Sequence, residues 1–207
     1  MRLRLAAIKP CAPNEGPGKR FVIWVQGCGI RCKGCYNSEM WDKRGGESKS
    51  VRGLFKLIKL ENEEKRIEGA TFLGGEPFGQ ARALLRLARK IQNIGLSVLT
   101  FTGYLYEDLA AGKRGRHGKK LLKYTDILID GPFIEEEKDY LRPYAGSRNQ
   151  RYFFLSERYL HLKEEIFSAK NRLEITIGAD GEISLTGMGD AETLLKDIAS
   201  ISVAKNT

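Results

Sequence analysis

Residues 21–37 contain the stretch Phe21-Val22-Ile23-Trp24-Val25-Gln26-Gly27-Cys28-Gly29-Ile30-Arg31-Cys32-Lys33-Gly34-Cys35-Tyr36-Asn37. The run from Phe21 to Gln26 is rich in β-branched and aromatic residues, which predicts a short buried strand. The loop after it holds Cys28, Cys32 and Cys35 in the spacing C-x3-C-x2-C, and we call these residues the loop cysteines. A cubane iron–sulfur cluster takes one thiolate for each iron, so three cysteines leave one iron open to another ligand. The stretch therefore predicts a reactive cluster and not a closed structural site.

The composition limits the class of protein. A length of 207 residues predicts one domain with at most a small appendage, and 42% hydrophobic residues are enough for a sizeable core. No apolar run approaches the roughly 20 residues that a membrane span needs. The residues from Met1 to Pro10 are charged and lack the apolar segment of a secretory signal. We therefore expect a cytoplasmic protein with no membrane partner.

Cysteine usage indicates a metal or a cluster and not disulfide bonds. The chain has four cysteines, too few for a disulfide scaffold, and the loop cysteines lie close together, as expected in a reducing compartment. We expect Cys11, which stands apart, to be an ordinary free thiol. The alternative for the loop cysteines is a structural zinc site, which usually has four protein ligands. Cys11, His117 or His161 would then supply the fourth.

The net charge of +9, from 35 Lys and Arg against 26 Asp and Glu, suits either nucleic acid or an acidic protein partner. The basic residues are mostly dispersed, and the densest group, residues 112–120, is predicted to be a solvated connector. A nucleic-acid partner is therefore not favoured. A zinc-stabilised nucleic-acid-binding module is kept as a hypothesis of a different class. It predicts zinc in the purified protein and salt-sensitive binding.

Strands alternate with helices along most of the chain. Hydrophobic periodicity predicts strands at 21–26, 70–73, 97–101 and 127–129, and helices at 50–61, 80–93, 106–111 and 119–123, after a turn-rich lead-in over residues 1–20. This order is typical of parallel β/α units with right-handed crossovers. We therefore predict an α/β fold, a partial (β/α) barrel of parallel strands with a C-terminal hairpin-and-helix extension.

The pattern changes after residue 150. Residues 151–155 predict a strand and 157–169 a helix, and two short strands, 173–177 and 182–185, flank Ala179-Asp180-Gly181, a hairpin signal. A last helix is predicted over residues 191–201. We therefore predict a core domain over residues 1–150 and a C-terminal extension over 151–207 packed on that core.

Unusual residues follow the predicted strands, where sites of parallel α/β folds collect. With the loop cysteines, the string Gly74-Gly75-Glu76-Pro77 resembles the radical S-adenosylmethionine (SAM) enzymes. Other strings are similar to those of the activating proteins of anaerobic (class III) ribonucleotide reductase: Cys32-Lys33-Gly34-Cys35-Tyr36-Asn37 with Trp41, Thr102-Gly103-Tyr104, Asp130-Gly131-Pro132-Phe133 and Gly146-Ser147-Arg148-Asn149-Gln150-Arg151. The likeness covers residues 16–151, which makes residues 1–150 a radical SAM core. Ala145, Arg148 and the C-terminal extension depart from the family pattern.

The resemblance implies a set of cofactor-binding residues. The loop cysteines would hold a [4Fe–4S] cluster whose open iron binds SAM, and no catalytic residue is implied beyond these ligands. The strand end Gly74, Gly75, Glu76 and Pro77 would hold the amino group of SAM, with a tight structural turn as the alternative. Glu76 would either anchor this loop or contact the ligand. Thr102 and Tyr104 would line the SAM cleft and Asp130 would bind the ribose hydroxyls, each with a structural turn as the alternative. Asn149 and Gln150 would grip the backbone of a substrate peptide.

The resemblance also implies an activity. The protein would be an oxidoreductase, an activase that uses SAM to abstract a hydrogen atom from a glycine of a large partner, leaving a glycyl radical there. The expected partner is an anaerobic ribonucleotide reductase, and the electron donor would be a flavodoxin or a ferredoxin. The alternative keeps the SAM chemistry but changes the target to another glycyl radical enzyme, a peptide or a small molecule.

Overall fold

A seven-stranded mixed sheet forms the centre of the protein. The structure is a computed structural model that describes residues 1–164, 173–178 and 183–187 and positions 194 and 196. The strand order of the sheet is β3-β1-β2-β4-β5-β6-β7. The four middle strands, β2, β4, β5 and β6, are parallel, whereas β1, β3 and β7 pair antiparallel at the edges. The strands are β1 Arg2–Ala12, β2 Arg20–Val25, β3 Glu47–Ser50, β4 Gly69–Gly74, β5 Ser97–Phe101, β6 Ile127–Asp130 and β7 Arg151–Phe154.

Helices connect the parallel strands, so the predicted α/β class with a parallel centre is confirmed. They are α1 Val51–Lys65, α2 Ala81–Gln92, α3 Tyr106–Ala110 and α4 Arg116–Leu122. The predicted apolar stripe of α2 is buried, with Leu84, Leu87 and Ile91 fully inaccessible to solvent. This stripe packs in one hydrophobic core with residues of β2, β4, β5 and β6. The curvature of the sheet into a partial barrel stays a prediction.

The expected lead-in over residues 1–20 is wrong for its first part, which is strand β1. Leu3 and Leu5 are buried and alternate with the more exposed Arg2 and Arg4, the period-2 pattern of a strand with one buried face. Strand β1 pairs with β2 on one side and with the four-residue β3 on the other. It therefore extends the sheet beyond the strand that leads into the loop cysteines.

The segment after residue 150 belongs partly to the sheet, because β7 pairs antiparallel with β6. In the predicted helix over 157–169, residues Glu157–Leu162 form a 3₁₀ helix and Lys163 and Glu164 are α-helical, whereas the rest of that prediction lies outside the described residues. Tyr159 anchors the 3₁₀ helix, since its buried hydroxyl lies 2.6 Å from Ser97 Oγ and donates to Glu68. The division of the chain at residue 150 stays a prediction.

The predicted C-terminal hairpin is confirmed as the antiparallel pair β8 Leu173–Ile177 and β9 Ile183–Gly187. It lies against β1 and the segment after it. Lys9 Nζ is 2.8 Å from Glu174 Oε2, and Gly187 N donates to Glu15 Oε1 at 2.8 Å. The helix predicted over 191–201 lies outside the described residues. Within the described parts of the chain, no helix has the length and apolar character to cross a bilayer.

Candidate cluster and cofactor site

A cavity lies at the edge where the parallel strands end. Its walls come from the loop after β2 and from the ends of β4, β5 and β6. Of the predicted site residues, those that line it are Cys28, Cys32, Cys35, Gly74, Gly75, Glu76, Thr102 and Gln150. Pro77, Tyr104, Asp130 and Asn149 lie outside this lining. The fold therefore brings the loop cysteines and the glycine-rich strand end to one place.

The cysteine loop is held by backbone hydrogen bonds and two left-handed residues. Gly27 N donates to Met40 O at 2.8 Å and Cys28 N to Trp41 O at 3.1 Å, which folds the loop back on residues 38–41. Arg31 and Gly34 have φ of 56° and 69°, and Cys35 N donates to Cys32 O at 3.2 Å. These turns direct the loop cysteines to the same cavity, and all of them are free thiols.

The thiol of Cys32 is partly buried. Burial raises its pKa, and a hydrogen bond from the backbone of Phe133 opposes this rise. The charges of Cys35 and Cys28 raise the pKa of Cys32 further. Across the described residues, no group of three or more His, Cys, Asp or Glu side chains could hold a single metal ion. A structural zinc site stays the alternative hypothesis for the loop cysteines.

Gly74 and Gly75 allow two strand ends to meet. Gly74 has φ of 98°, and a Cβ there would lie 2.8 Å from the backbone nitrogen of Val25. A Cβ on Gly75 would lie 2.6 Å from the carbonyl oxygen of Gly27. Gly75 N and Glu76 N also donate to Val25 O and Gly27 O, at 2.8 and 3.0 Å. The absent side chains therefore make room for the cysteine loop itself, and contact with a ligand stays a prediction.

Glu76 ties the end of β4 to the end of β5. Its carboxyl group is buried and accepts hydrogen bonds from Phe78 N at 2.8 Å, Thr102 Oγ1 at 2.9 Å and Gly103 N at 3.0 Å. Desolvation raises its pKa to about 7, although these hydrogen bonds act in the opposite direction. Both oxygens are engaged within the chain, so Glu76 anchors the loop. Pro77, the next residue, begins the 3₁₀ turn Pro77–Gln80.

We expect Glu76 to make the free energy of unfolding of the apoprotein fall as the pH rises from about 4.5 to about 7. The carboxyl pKa is raised from 4.5 to about 7 on folding, so the folded chain binds more protons in this window. The loss amounts to roughly 3 kcal/mol, because one pKa unit corresponds to about 1.4 kcal/mol. Urea unfolding of the wild type and of Glu76→Gln at pH 5 and 7.5 measures it. A stability difference between the two proteins that does not change with pH would contradict the assignment.

Asp130 forms an ion pair with Arg151. The carboxylate of Asp130 is fully buried. It accepts hydrogen bonds from Arg151 Nε at 3.0 Å, from Arg151 Nη2 at 2.6 Å and from Tyr106 N at 2.6 Å. Arg151 extends to Glu107 as well, at 2.8 Å, and these hydrogen bonds raise the pKa of the guanidinium. Asp130 thus joins the end of β6 to α3 and β7. A role on the ribose of SAM stays a prediction.

Asn149 and Gln150 brace the loop after β6. Asn149 Nδ2 donates to Pro132 O at 2.8 Å, and its Oδ1 accepts from Ser147 Oγ at 2.6 Å. Gln150 Oε1 accepts from Gly146 N at 2.7 Å, and its Nε2 donates to Gly131 O at 3.1 Å. Both amides are therefore engaged in this conformation, and they shape the wall of the cavity that Gln150 lines. Their contact with a peptide stays a prediction.

Thr102 and Tyr104 lie on either side of one turn. Thr102 Oγ1 donates a hydrogen bond to Glu76 and accepts one from Tyr104 N at 3.1 Å. Thr102 therefore stabilises the turn and also lines the cavity. Tyr104 faces a neighbouring groove, where the guanidinium of Arg114 lies 4.1 Å from the centre of its ring. Burial raises the pKa of the Tyr104 hydroxyl.

Sequence reasoning did not assign Trp41, Tyr140 and Gly187 to the site, although all three line the cavity. Trp41 could have been found, because it belongs to the string that carried the resemblance. Gly187 gave no signal, because it comes from the hairpin after the core. It places the hairpin at the wall of the cavity.

The residues present fit an iron–sulfur cluster with a polar ligand beside it. The donor set is the loop cysteines, soft thiol ligands of the kind that iron–sulfur clusters require. Among the described residues, Trp41 Nε1 is a buried side-chain nitrogen without a hydrogen-bond partner, and its ring lines the cavity. An indole N–H is a donor only, and this one is shielded from solvent although the residue lines the cavity.

Comparison with known proteins gives consistent matches. The family described as the 4Fe-4S single cluster domain matches residues 14–153. The anaerobic ribonucleoside-triphosphate reductase-activating protein of Vibrio cholerae is 32% identical over 66% of this chain and 88% of its own length. The protein of the same name from Enterobacteria phage T4 is 31% identical over 70% of this chain and 89% of its own length. The pyruvate formate-lyase-activating enzyme of Clostridium pasteurianum is 29% identical over 65% of this chain and 54% of its own length.

Proposed function

The chain belongs to the 4Fe-4S single cluster domain family and to the family of anaerobic ribonucleoside-triphosphate reductase-activating proteins, and on this premise we propose that it is a radical SAM activase. It is an oxidoreductase that generates a glycyl radical on a partner enzyme. The observation that carries the proposal is the meeting of the loop cysteines with Gly74 and Gly75 around one cavity. The matched region covers the described core and most of the length of the relatives from Vibrio cholerae and phage T4.

The cofactors are a [4Fe–4S] cluster, held by Cys28, Cys32 and Cys35, and SAM. Together they supply, when bound, a one-electron reductive cleavage of the carbon–sulfur bond of SAM that leads to abstraction of a hydrogen atom. Gly74, Gly75 and Thr102 form the part of the cavity wall that receives SAM.

The remaining residues position that wall. Glu76 fixes the distance between the ends of β4 and β5 by accepting hydrogen bonds from both. Asp130 and Arg151 fix the end of β6 in the same way. The rings of Trp41 and Phe133 line the cavity and exclude water from the thiols.

The partner is a glycyl radical enzyme, with anaerobic ribonucleotide reductase as the first candidate because of the names of the relatives from Vibrio cholerae and phage T4. The relative from Clostridium pasteurianum supports a second candidate, another glycyl radical enzyme of the pyruvate formate-lyase type. The electron donor is a flavodoxin or a ferredoxin. We place the protein in the cytoplasm, where free thiols such as the loop cysteines stay reduced.

Anaerobic reconstitution with iron and sulfide, followed by SAM and dithionite, tests the function. We expect formation of 5′-deoxyadenosine without a partner. With an anaerobic ribonucleotide reductase, we expect an organic radical signal on the reductase in electron paramagnetic resonance. Formation of 5′-deoxyadenosine without a radical on either type of glycyl radical enzyme would redirect the proposal to a peptide or a small molecule. A reconstituted protein that never cleaves SAM would contradict it.

We expect Asn149→Ala to reduce radical formation on the partner by about tenfold and SAM cleavage without partner by much less. The reason is that Asn149 braces Pro132 and Ser147 beside the cavity, where the partner glycine has to enter. The yield of 5′-deoxyadenosine without partner and the radical signal with partner are measured on the same preparation. Equal losses in the two assays would count against a role toward the substrate.

A further inference from the structure

Four exposed cations from two helices form one surface, which we call the basic patch: Arg82 and Arg86 of α2, and Arg116 and Lys120 of α4. The two helices pack against each other. Each pair is spaced i,i+4, so its members lie on the same side of their helix. Desolvation lowers the pKa of His117 on α4, and the charges of Arg116, Arg82, Lys120 and Arg86 lower it further. In the described residues none of the four forms an ion pair with a carboxylate.

The basic patch lies beside the cofactor site without being part of it. Gly118 of α4 lies against the ring of Phe78, in the turn that begins directly after Glu76. Arg114, which precedes α4, lines a groove together with Gly29 and Ile30 of the cysteine loop. None of the four cations lines the cavity. A protein seated on the basic patch would therefore lie near the cysteine loop and leave the cavity open.

The proposed function requires two partners with different needs. The glycyl radical enzyme has to bring a glycine into the cavity, whereas an electron carrier only has to come close to the cluster. Each cleavage of SAM consumes one electron, so the carrier is oxidised by one electron and the protein reduced by one. A surface outside the cavity but next to the cysteine loop suits the carrier. Unpaired exposed cations attract a partner with an acidic surface and accelerate its association.

We infer that the basic patch is the docking surface for a small acidic electron-carrier protein, an inference that rests on the proposed function. A flavodoxin is a suitable probe, because it is an acidic one-electron carrier. The charge-reversal variant Arg82→Glu/Arg86→Glu removes the α2 half of the basic patch. The matched control is Arg52→Glu/Lys56→Glu on α1, which has the same spacing, the same change of charge and exposed side chains without ion pairs in the described residues. The pair Arg116→Glu/Lys120→Glu tests the α4 half independently.

Two measurements are made on the reconstituted proteins: the affinity for flavodoxin by calorimetry, and SAM cleavage driven either by reduced flavodoxin or by dithionite. We expect both patch reversals to lower the affinity and the flavodoxin-driven rate by about tenfold or more at low salt. The dithionite-driven rate should stay at the wild-type value, and the α1 control should behave like the wild type in all assays.

Wild-type affinity and rate in both patch variants would overturn the inference. An equal loss of affinity and flavodoxin-driven rate in the α1 control would also overturn it, because net charge would then be the cause. An equal loss of the dithionite-driven rate in both patch variants would overturn it as well. Binding of a DNA duplex that is lost in the patch variants, without any change in the flavodoxin-driven rate, would assign the patch to nucleic acid instead. A wild-type protein that cleaves no SAM even with dithionite would contradict the proposed function. If the wild type cleaves SAM with dithionite but the flavodoxin-driven rate does not depend on the basic patch, only the docking surface is contradicted.

Discussion

We expect Cys32→Ala, after anaerobic reconstitution, to bind almost no [4Fe–4S] cluster and to form 5′-deoxyadenosine only at background level. Cys32 is the central one of the loop cysteines, and it lines the same cavity as Cys28 and Cys35. In the described part of the chain, the cavity lining has no further cysteine that could replace it. Iron and sulfide content, the visible absorption of the cluster and the yield of 5′-deoxyadenosine measure the effect.

The matched control for this substitution is Cys11→Ala. Cys11 is also a free thiol, but it lies on β1, packs against the hydrophobic core and is absent from the cavity lining. We expect this variant to keep the iron content and the activity of the wild type. A Cys32→Ala protein with a full cluster, or a Cys11→Ala protein without one, would contradict the assignment of the ligands.

The second large effect is expected for Gly75→Ala. The new Cβ would lie 2.6 Å from the carbonyl oxygen and 2.8 Å from the carbonyl carbon of Gly27, both backbone atoms that cannot rotate away. Overpacking of this kind costs about 1–3 kcal/mol, and in a chain of this size each kcal/mol lowers the melting temperature by about 2–4 °C. The collision also displaces the cysteine loop. A misplacement of about 1 Å can cost about 100-fold in rate.

Gly79→Ala is the control, because a Cβ on Gly79 has no heavy atom within 4 Å. Gly79 lies in the turn after the same strand, so the two variants differ in the collision and not in the region of the chain. We expect its stability to stay within about 0.5 kcal/mol of the wild type, with an unchanged rate of SAM cleavage. Thermal unfolding and 5′-deoxyadenosine formation compare the two, and equal behaviour would disprove the close approach of Gly75 to Gly27.

The parallel part of the sheet could be predicted because its strands are buried on both faces. Phe21, Phe72 and Leu128 belong to runs in which nearly every residue is inaccessible, and such runs stand out in the sequence. The alternation of buried and exposed residues in β1 ends at Leu5, where its pairing with β2 first shifts register, so only a short part of the strand carries a predictive pattern. Strand β3 is short and polar, so only its pairing with β1 defines it.

The place of the site could also be predicted, since the cysteine loop and the glycine-rich string each follow a parallel strand. The roles of the surrounding polar residues could not, because they depend on partners far along the chain. Glu76 is held by Thr102 and Gly103, and Asp130 is held by Arg151. These contacts form only when β4, β5, β6 and β7 lie side by side.

The hairpin adds a part of the site that the matched region does not contain. The family match ends at residue 153, whereas Gly187 of β9 lines the cavity and Glu15 holds it there. Burial raises the pKa of Glu15, and the hydrogen bond from Gly187 acts against this rise. Nothing in the hairpin sequence pointed to the cavity, because its only link to the site is packing against β1 and the segment that follows it.

The electron paramagnetic resonance spectrum of the reduced cluster, recorded before and after addition of SAM, tests the central claim most directly. A cluster held by Cys28, Cys32 and Cys35 has an iron without a protein ligand, so SAM should coordinate it and change the g values of the signal. A spectrum that SAM leaves unaltered, in a protein with full iron content, would show that SAM does not coordinate the cluster and would contradict the account.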